Sequence, residues 1–547
     1  MLPLDTITIV LVLLLAVVIS GSIAKMLPWS VPQPLLQIAL GGFIGFVADL
    51  RVELSPNVFF LLFLPPLLFL DGWRIPKEEM LKDSKPILEL SLGLVVLTVV
   101  GIGFFINWII PGVPLVVAFA LAAVISPTDP IAVRAITAPV PVPKRLMHLL
   151  EGEALLNDAS GLVCFRFAVA AALTGSFSLY DAAVSFLWAA SGGIAVGFGT
   201  TWTITRVKGW VDRRFGEESG SQILVSLLIP FASYLLAEQL HCSGILAAVA
   251  AGVTMSFVEA SGKALAVTRI RRSTVWDMIQ FTANGIIFIL LGEQLPAILA
   301  GAAETVRIGH YDPVWLPFYV LAIYISLVAV RFLWVWVSLS LTIFKAGRRE
   351  GRSWRPNWWL VTATSLAGVR GTVTLAGVLT LPTALSNGAP FPARDLAIFL
   401  AMGVIILSLV ATSIGLPLLL PGLRMPAESS YEAEEDRARN ASAAAAITEI
   451  ERVQHSLSAG RSDADIYVAA ASQIMDLYRT RIANRSRDSE SATLARRRDI
   501  IESELLLAAV RAERKLIFRM AQGNEIGSET ARKLIQELDL AEARYQA

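Results

Sequence analysis

Long apolar segments recur along the first four-fifths of the chain, and roughly 20 apolar residues are what a helix needs to cross a bilayer core of about 30 Å. They lie near 6–24, 31–48, 54–70, 86–109, 113–138, 149–174, 180–205, 220–239, 242–258, 274–299, 313–344, 358–388 and 394–420, thirteen in all. No water reaches that depth, so each segment must pair its own backbone groups, which makes these segments helices. The expected fold is an all-α polytopic membrane protein. Spans 8 and 9, parted only at 239–242, must form a tight hairpin.

Charge divides the chain again. Residues 426–547 hold 18 of its 46 Lys+Arg and 21 of its 45 Asp+Glu. Two domains are expected: a membrane domain over 1–425 and a polar, helical C-terminal domain over 426–547. Apolar residues recur at helical spacing in the latter, as in Ile447, Ile450 and Val453, with breaks at Gly460, Arg485 to Ser491 and Gly523 to Gly527. A net charge of +1 and no basic run longer than Arg496-Arg497-Arg498 exclude a nucleic-acid partner. Cys164 and Cys242, both in apolar stretches, support neither a disulfide framework nor a thiolate metal site. The start, Met1-Leu2-Pro3-Leu4-Asp5, lacks the positive region of a signal peptide, so the first span is read as retained.

Lys and Arg near span ends favour the cytoplasmic side. The intervals after odd-numbered spans to span 11 carry 20 of them, among them Lys77, Lys82, Lys263, Arg352 and Arg355; those after even-numbered spans carry only Arg51, Arg307 and Arg394. The N-terminus is therefore expected outside and the C-terminal domain in the cytoplasm. His148, His241, His310 and His455 fall in loops or in the C-terminal domain, as surface histidines do.

Ionisable residues within spans are costly, and are candidates for function. Those placed inside are Asp129, Arg134, Glu153, Asp158, Arg166, Arg331 and Arg370. Span 5 carries Ser126-Pro127-Thr128-Asp129-Pro130, whose two prolines must break its helix. Broken helices persist at membrane depth where they line a polar site. Asp129 lies nine residues from the inner end of its span, and Asp158 of span 6 does too, so both reach a depth of roughly 14 Å. Two carboxylates at one depth on neighbouring helices make a candidate site for a hard monovalent cation, in which a proton is the alternative occupant. Arg166 and Arg331 are expected to be structural partners or to reach the interface.

Span 12 is the third irregular segment, with Gly368-Val369-Arg370-Gly371 at its centre. Arg370 lies roughly 18 Å in and needs a counter-ion; Glu153 is the first choice, Asp129 or Asp158 the alternatives. Spans 5 and 12 are seven apart and cross in opposite directions, as an inverted repeat of spans 1–6 with 8–13 requires. Interruptions at corresponding positions of two inverted halves point to a transporter's binding site.

At these residues the chain resembles the bacterial and animal sodium/proton exchangers, monovalent cation:proton antiporters with thirteen membrane helices. The matching pieces are Ser126 to Pro130, Glu151-Gly152-Glu153-Ala154-Leu155-Leu156-Asn157-Asp158, Gly368 to Gly371 with the following Thr and Ala, Leu64-Pro65-Pro66-Leu67-Leu68-Phe69, and Asn284 to Phe288 before Gly292. The resemblance implies that Asp158 binds ion and proton, that Asn157 assists it, and that Thr128 and Asp129 co-line the site, with Asp158 and Asp129 as Na+ ligands. It implies a Glu153–Arg370 ion pair, no cofactor beyond the transported Na+ or other monovalent cation and H+, a homodimer, and residence in the cell (inner) membrane. Asn beside Asp resembles the branch that exchanges one cation for one proton without net charge. Two positions depart from the pattern. Relatives often place Glu where this chain has Leu70, with Asp71 one residue on, and tend to have Ser where it has Ala154. Asp71 is thus a possible further site residue.

The function expected is secondary antiport by alternating access, with competition at Asp158. A cation channel and a membrane-embedded enzyme are the other classes. The first would need a continuous polar filter, which the spans lack. The second would need a nucleophile with His or an open acid/base dyad; no span has a deep His, and Asp129 with Asp158 is the one dyad.

Overall fold

A computed structural model describes residues 4–27, 31–47, 56–74, 84–110, 112–137, 144–174, 179–260, 265–308, 312–350, 358–385, 388–420, 429–459, 464–485, 489–523 and 525–546. Among these the chain is all-helical; one isolated bridge joins Ala384 and Pro390, and there is no strand. Met1 to Pro3, Arg51, Lys77, Lys82, Lys263, His310, Arg352, Arg355, Gly460 and residues 486–488 lie outside the described residues.

Two compact units divide the chain, Met1–Arg424 and Met425–Ala547. The first contains α1 (Leu4–Met26), α2 (Gln33–Val47), α3 (Pro56–Arg74), α4 (Ser84–Ile109), α5 (Leu115–Ile125), α6 (Pro130–Thr137), α7 (Lys144–Thr174), α8 (Leu179–Phe215), α9 (Ser219–Gln239) and α10 (Gly244–Ala260). It continues with α11 (Ala266–Ile308), α12 (Leu316–Glu350), α13 (Trp358–Leu366), α14 (Thr372–Leu379) and α15 (Arg394–Leu419). The second contains α16 (Ser429–Ser458), α17 (Ala464–Arg485), α18 (Ser489–Gln522) and α19 (Ser528–Gln546). There α16 packs on α17 and α18 on α19, where Arg514 meets Asp539 at 2.9 Å and also Glu542.

The apolar segments read from the sequence are helical over most of their described residues, the main exceptions being the breaks in spans 5 and 12 and residues 380–385 at the end of span 12. Among the described residues, six stretches are by themselves long and apolar enough to cross a bilayer: Ile7–Met26, Leu150–Leu173, Ser219–Gln239, Ala266–Arg307, Pro313–Ser340 and Arg394–Leu419. The breaks expected in spans 5 and 12 are present, and each divides its span into two short helices, α5 and α6, then α13 and α14. Several helices outrun their apolar segments: α11 begins at Ala266 and includes Arg269, Arg271 and Arg272 ahead of the expected span at 274. Hydropathy marks where apolar surface begins, whereas a helix continues as long as its backbone stays paired. The hairpin between α9 and α10 turns at His241, whose φ is 54°, and Cys242 N closes it by donating to Ala237 O at 2.8 Å.

Close backbone contact sets α3 against α10. A Cβ at Gly252 would lie 2.0 Å from Phe69 O, and one at Gly72 would lie 2.5 Å from Val249 O. Beside this crossing Phe69 stacks on Trp276, with ring centroids 5.2 Å apart, and Trp73 Nε1 donates to Glu259 Oε2 at 2.6 Å. These contacts fix the end of α3 that carries Asp71.

Because the Gly252 contact is backbone against backbone, a side chain there cannot be absorbed by a rotamer change. Gly252→Val is expected to destabilise the protein by at least about 1–3 kcal/mol, seen as a lower melting temperature in detergent. An unchanged temperature would mean that α3 and α10 do not cross at this point.

Candidate functional site

The site is built where the two broken spans meet. Between α5 and α6 the chain leaves the helix over Ser126–Asp129. Pro127 cannot continue α5, whereas Pro130 opens α6 at the position where a missing N–H costs nothing. Asp129 is the N-cap of α6, its Oδ1 accepting from Ala132 N at 3.2 Å. Opposite it, the chain unwinds between Leu366 and Thr372. The two breaks are joined by their backbones: Asp129 N donates to Val369 O at 2.7 Å. A Cβ at Gly371 would lie 1.8 Å from Asp129 Oδ2, so a glycine is needed for this approach.

Arg370 serves the crossing rather than a carboxylate. Its Nε donates to Ile125 O at 3.0 Å, a second nitrogen donates to Gly368 O, and its backbone N donates to Ser408 Oγ at 3.1 Å. The guanidinium thus covers one carbonyl at the end of α5, the negative end of that helix, and one in its own unwound segment. The expected Glu153–Arg370 pair is corrected accordingly. Glu153 is held by Arg331, with Nη1 to Oε1 at 2.5 Å and Nη2 to Oε2 at 2.9 Å, while Arg331 Nε donates to Thr364 O at 3.1 Å. Five residues turn about 140° around a helix, so α7 cannot turn both Asp158 and Glu153 to one side, and Glu153 faces α12. Arg166, by contrast, pairs with Glu238 at 3.0 Å on an exposed surface.

Asp158, Asp129, Thr128 and Asp71 line one cavity of about 20 Å³, room for one water-sized species. The equal depth of Asp129 and Asp158 read from the sequence thus corresponds to a shared wall, and Asp71 of α3 joins it. Asp158 is 6% exposed, and its Oδ1 makes no hydrogen bond to another protein group. Asn157 does not line the cavity. It is fully buried about 100° round α7 from Asp158; its Nδ2 donates to Ser126 O at 3.3 Å, clamping the unwound segment, and its Oδ1 makes no hydrogen bond to another protein group.

Asn284 of α11 and Thr372 and Thr374 of α14 complete the polar wall. Charge within the spans does not mark them, because a neutral side-chain oxygen costs far less to bury than an ionised group. An amide at depth in the apolar run of span 10 was the available signal for Asn284. Among the described residues no Lys or Arg lines the cavity. Three carboxylates, hydroxyl and amide oxygens, and the positive first turns of α6 and α14 therefore surround a space suited to a small hard cation or a proton.

Removing one partner of the buried Glu153–Arg331 pair strands a charge. Glu153→Gln is expected to cost roughly 3–5 kcal/mol, against about 1 kcal/mol or less for Arg166→Met at the exposed pair. Melting temperatures of the two variants check the order; equal losses would contradict it.

Residues 10–421 match the family described as sodium/hydrogen exchanger, transmembrane. The chain is 41% identical over 542 residues to a protein of Escherichia coli named an uncharacterized Na+/H+ exchanger, YjcE, covering 98% of each. It is 42% identical over 416 residues to a sodium, potassium, lithium and rubidium/H+ antiporter of Bacillus pumilus, covering 75% of this chain and 60% of that one. Among solved structures, the sodium proton antiporter MjNhaP1 of Methanocaldococcus jannaschii has the same fold, with a TM-score of 0.56 at 19% identity over 77% of this chain and 99% of that one. With its broken helices crossing at an acidic cavity, the chain belongs to the sodium/hydrogen exchanger family of multi-pass membrane proteins.

Proposed function

We propose that the protein exchanges Na+, or another monovalent cation, for H+ across the cell membrane by alternating access, the two competing for Asp158. The observation that carries this reading is the buried Asp158 carboxylate, with an oxygen free of protein partners, in a cavity between two broken helices. The names of the relatives, Na+/H+ exchanger and sodium, potassium, lithium and rubidium/H+ antiporter, favour the same ions. Asp129 and Thr128 co-line the site, Asp71 adds negative potential to it, and Asn157 holds its unwound wall. Glu153, Arg331 and Arg370 keep the frame around it rigid.

Competition at one carboxylate makes the exchange electroneutral, since the cation and the proton each bring one positive charge to the same group. Residues 1–425 form the exchanging domain, with the N-terminus outside. The helical C-terminal domain, 426–547, is cytoplasmic, and the protein works as a homodimer. The 20 to 3 distribution of Lys and Arg between alternate intervals supports that orientation.

The test is a pH-gradient dequenching assay in everted vesicles, with Na+, Li+ and K+ added in turn. Cation-dependent proton movement is expected in the wild type and is expected to fall to background in Asp158→Asn; exchange persisting in that variant would overturn the role of Asp158. A protonated carboxylate does not hold a cation, so exchange is expected to rise with cytoplasmic pH until proton supply limits it. Transport current that scales with voltage in proteoliposomes would refute electroneutrality.

A further inference from the structure

Helical hydroxyls in this chain are generally satisfied by the turn before them. Thr254, Thr305, Thr362 and Thr364 each donate to the carbonyl four residues earlier, at 2.6, 2.9, 2.8 and 2.7 Å. Thr374 does not. It is the third residue of α14, so the carbonyl four positions back belongs to Arg370 in the unwound segment, outside the helix. Its side chain is 1% exposed, lines the cavity, and its Oγ1 makes no hydrogen bond to another protein group. Asn284 repeats the pattern from the facing helix: its Oδ1 is buried, without a protein partner, on the same cavity. Asp158 Oδ1 is the third such oxygen on that wall.

A buried acceptor without a donor is costly, and three around one small space are kept when something fills the space. Hard monovalent cations are bound by oxygen. We propose that Thr374 Oγ1 and Asn284 Oδ1 are ligands of the transported cation, completing with Asp158 a cage drawn from α7, α11 and α14, and that they set its preference among monovalent cations. This rests on the exchanger reading above. Both added ligands are neutral, so they give the ion coordination without charge, and one proton on Asp158 still expels it. They also come from helices held differently. The long helix α11 is locked to α2 by backbone contact, a Cβ at Gly292 falling 2.0 Å from Ile38 O. Asn284 therefore cannot follow a shrinking ion, whereas Thr374 sits in the first turn of the short α14, beside the break. Such a cage ranks ions by radius.

The experiment compares the full-length wild type with Thr374→Val, Thr374→Ser and Asn284→Leu. Half-saturating concentrations of NaCl, LiCl and KCl are measured by dequenching in proteoliposomes and by cation-dependent rise of melting temperature in detergent. Thr374→Val, which keeps the volume and loses the oxygen, is expected to raise the half-saturating concentration of the preferred cation at least about tenfold and to change the order of the three ions. Thr374→Ser is expected to restore both. Asn284→Leu is expected to weaken binding likewise, which keeps the test open if Thr374→Val fails to fold. A purely structural role would lower the melting temperature without altering the ion order. Unchanged half-saturation and order in both Thr374→Val and Asn284→Leu would overturn the assignment, with the exchanger reading intact if the wild type exchanges. A wild type that moves no protons would overturn the exchanger reading instead; cation stabilisation weakened in the variants would then still support the ligands.

Discussion

The crossing of the two unwound segments is the constraint on which the membrane unit is organised. Breaking a helix at depth releases donors and acceptors that water cannot reach, so each break must be satisfied by protein. Here each break serves the other: Asp129 N donates to Val369 O, and the Arg370 guanidinium covers Ile125 O at the end of α5. Asp129 in turn caps α6. Gly371 is needed because the Asp129 carboxylate occupies the space a side chain would take.

Charge is distributed around that crossing with a purpose that follows from dielectric. Buried cations are held away from the cavity, Arg331 neutralised by a two-pronged contact with Glu153 and Arg370 hydrogen-bonded to carbonyls. Among the described residues no Lys or Arg lines the cavity, so the negative potential of Asp71, Asp129 and Asp158 acts on a mobile cation or proton. A permanent arginine at Asp158 would fill the site and end competition there. The frame can carry buried ion pairs because their geometry satisfies every charged oxygen of Glu153, without which burial would cost more than attraction returns.

The surrounding helices fix where the carboxylates stand. Asp71 reaches the cavity because Gly72 and Gly252 let α3 and α10 touch through their backbones, and because the Phe69–Trp276 stack holds the same turn. Asn284 is presented by a helix fixed to α2 in the same manner. Positions of ligands in such a unit are therefore set by glycine contacts several residues away along each helix.

Sequence alone determined what depends on local chemistry. Apolar length dictates helices, the prolines around Thr128 and the glycines around Arg370 dictate breaks, and residue counts along spans 5 and 6 put Asp129 and Asp158 at one depth. Tertiary structure decided what depends on angle around a helix and on neighbours. It turned Glu153 to Arg331 and left Arg370 to backbone carbonyls, because an ion pair forms between facing sides and depth says nothing of facing. It set the Asn157 amide against Ser126 and brought Asp71, Asn284 and Thr374 to the cavity wall. A one-dimensional pattern records how far a residue lies along its helix; which helix stands opposite is settled only by packing, and there the partners of every buried polar group are chosen.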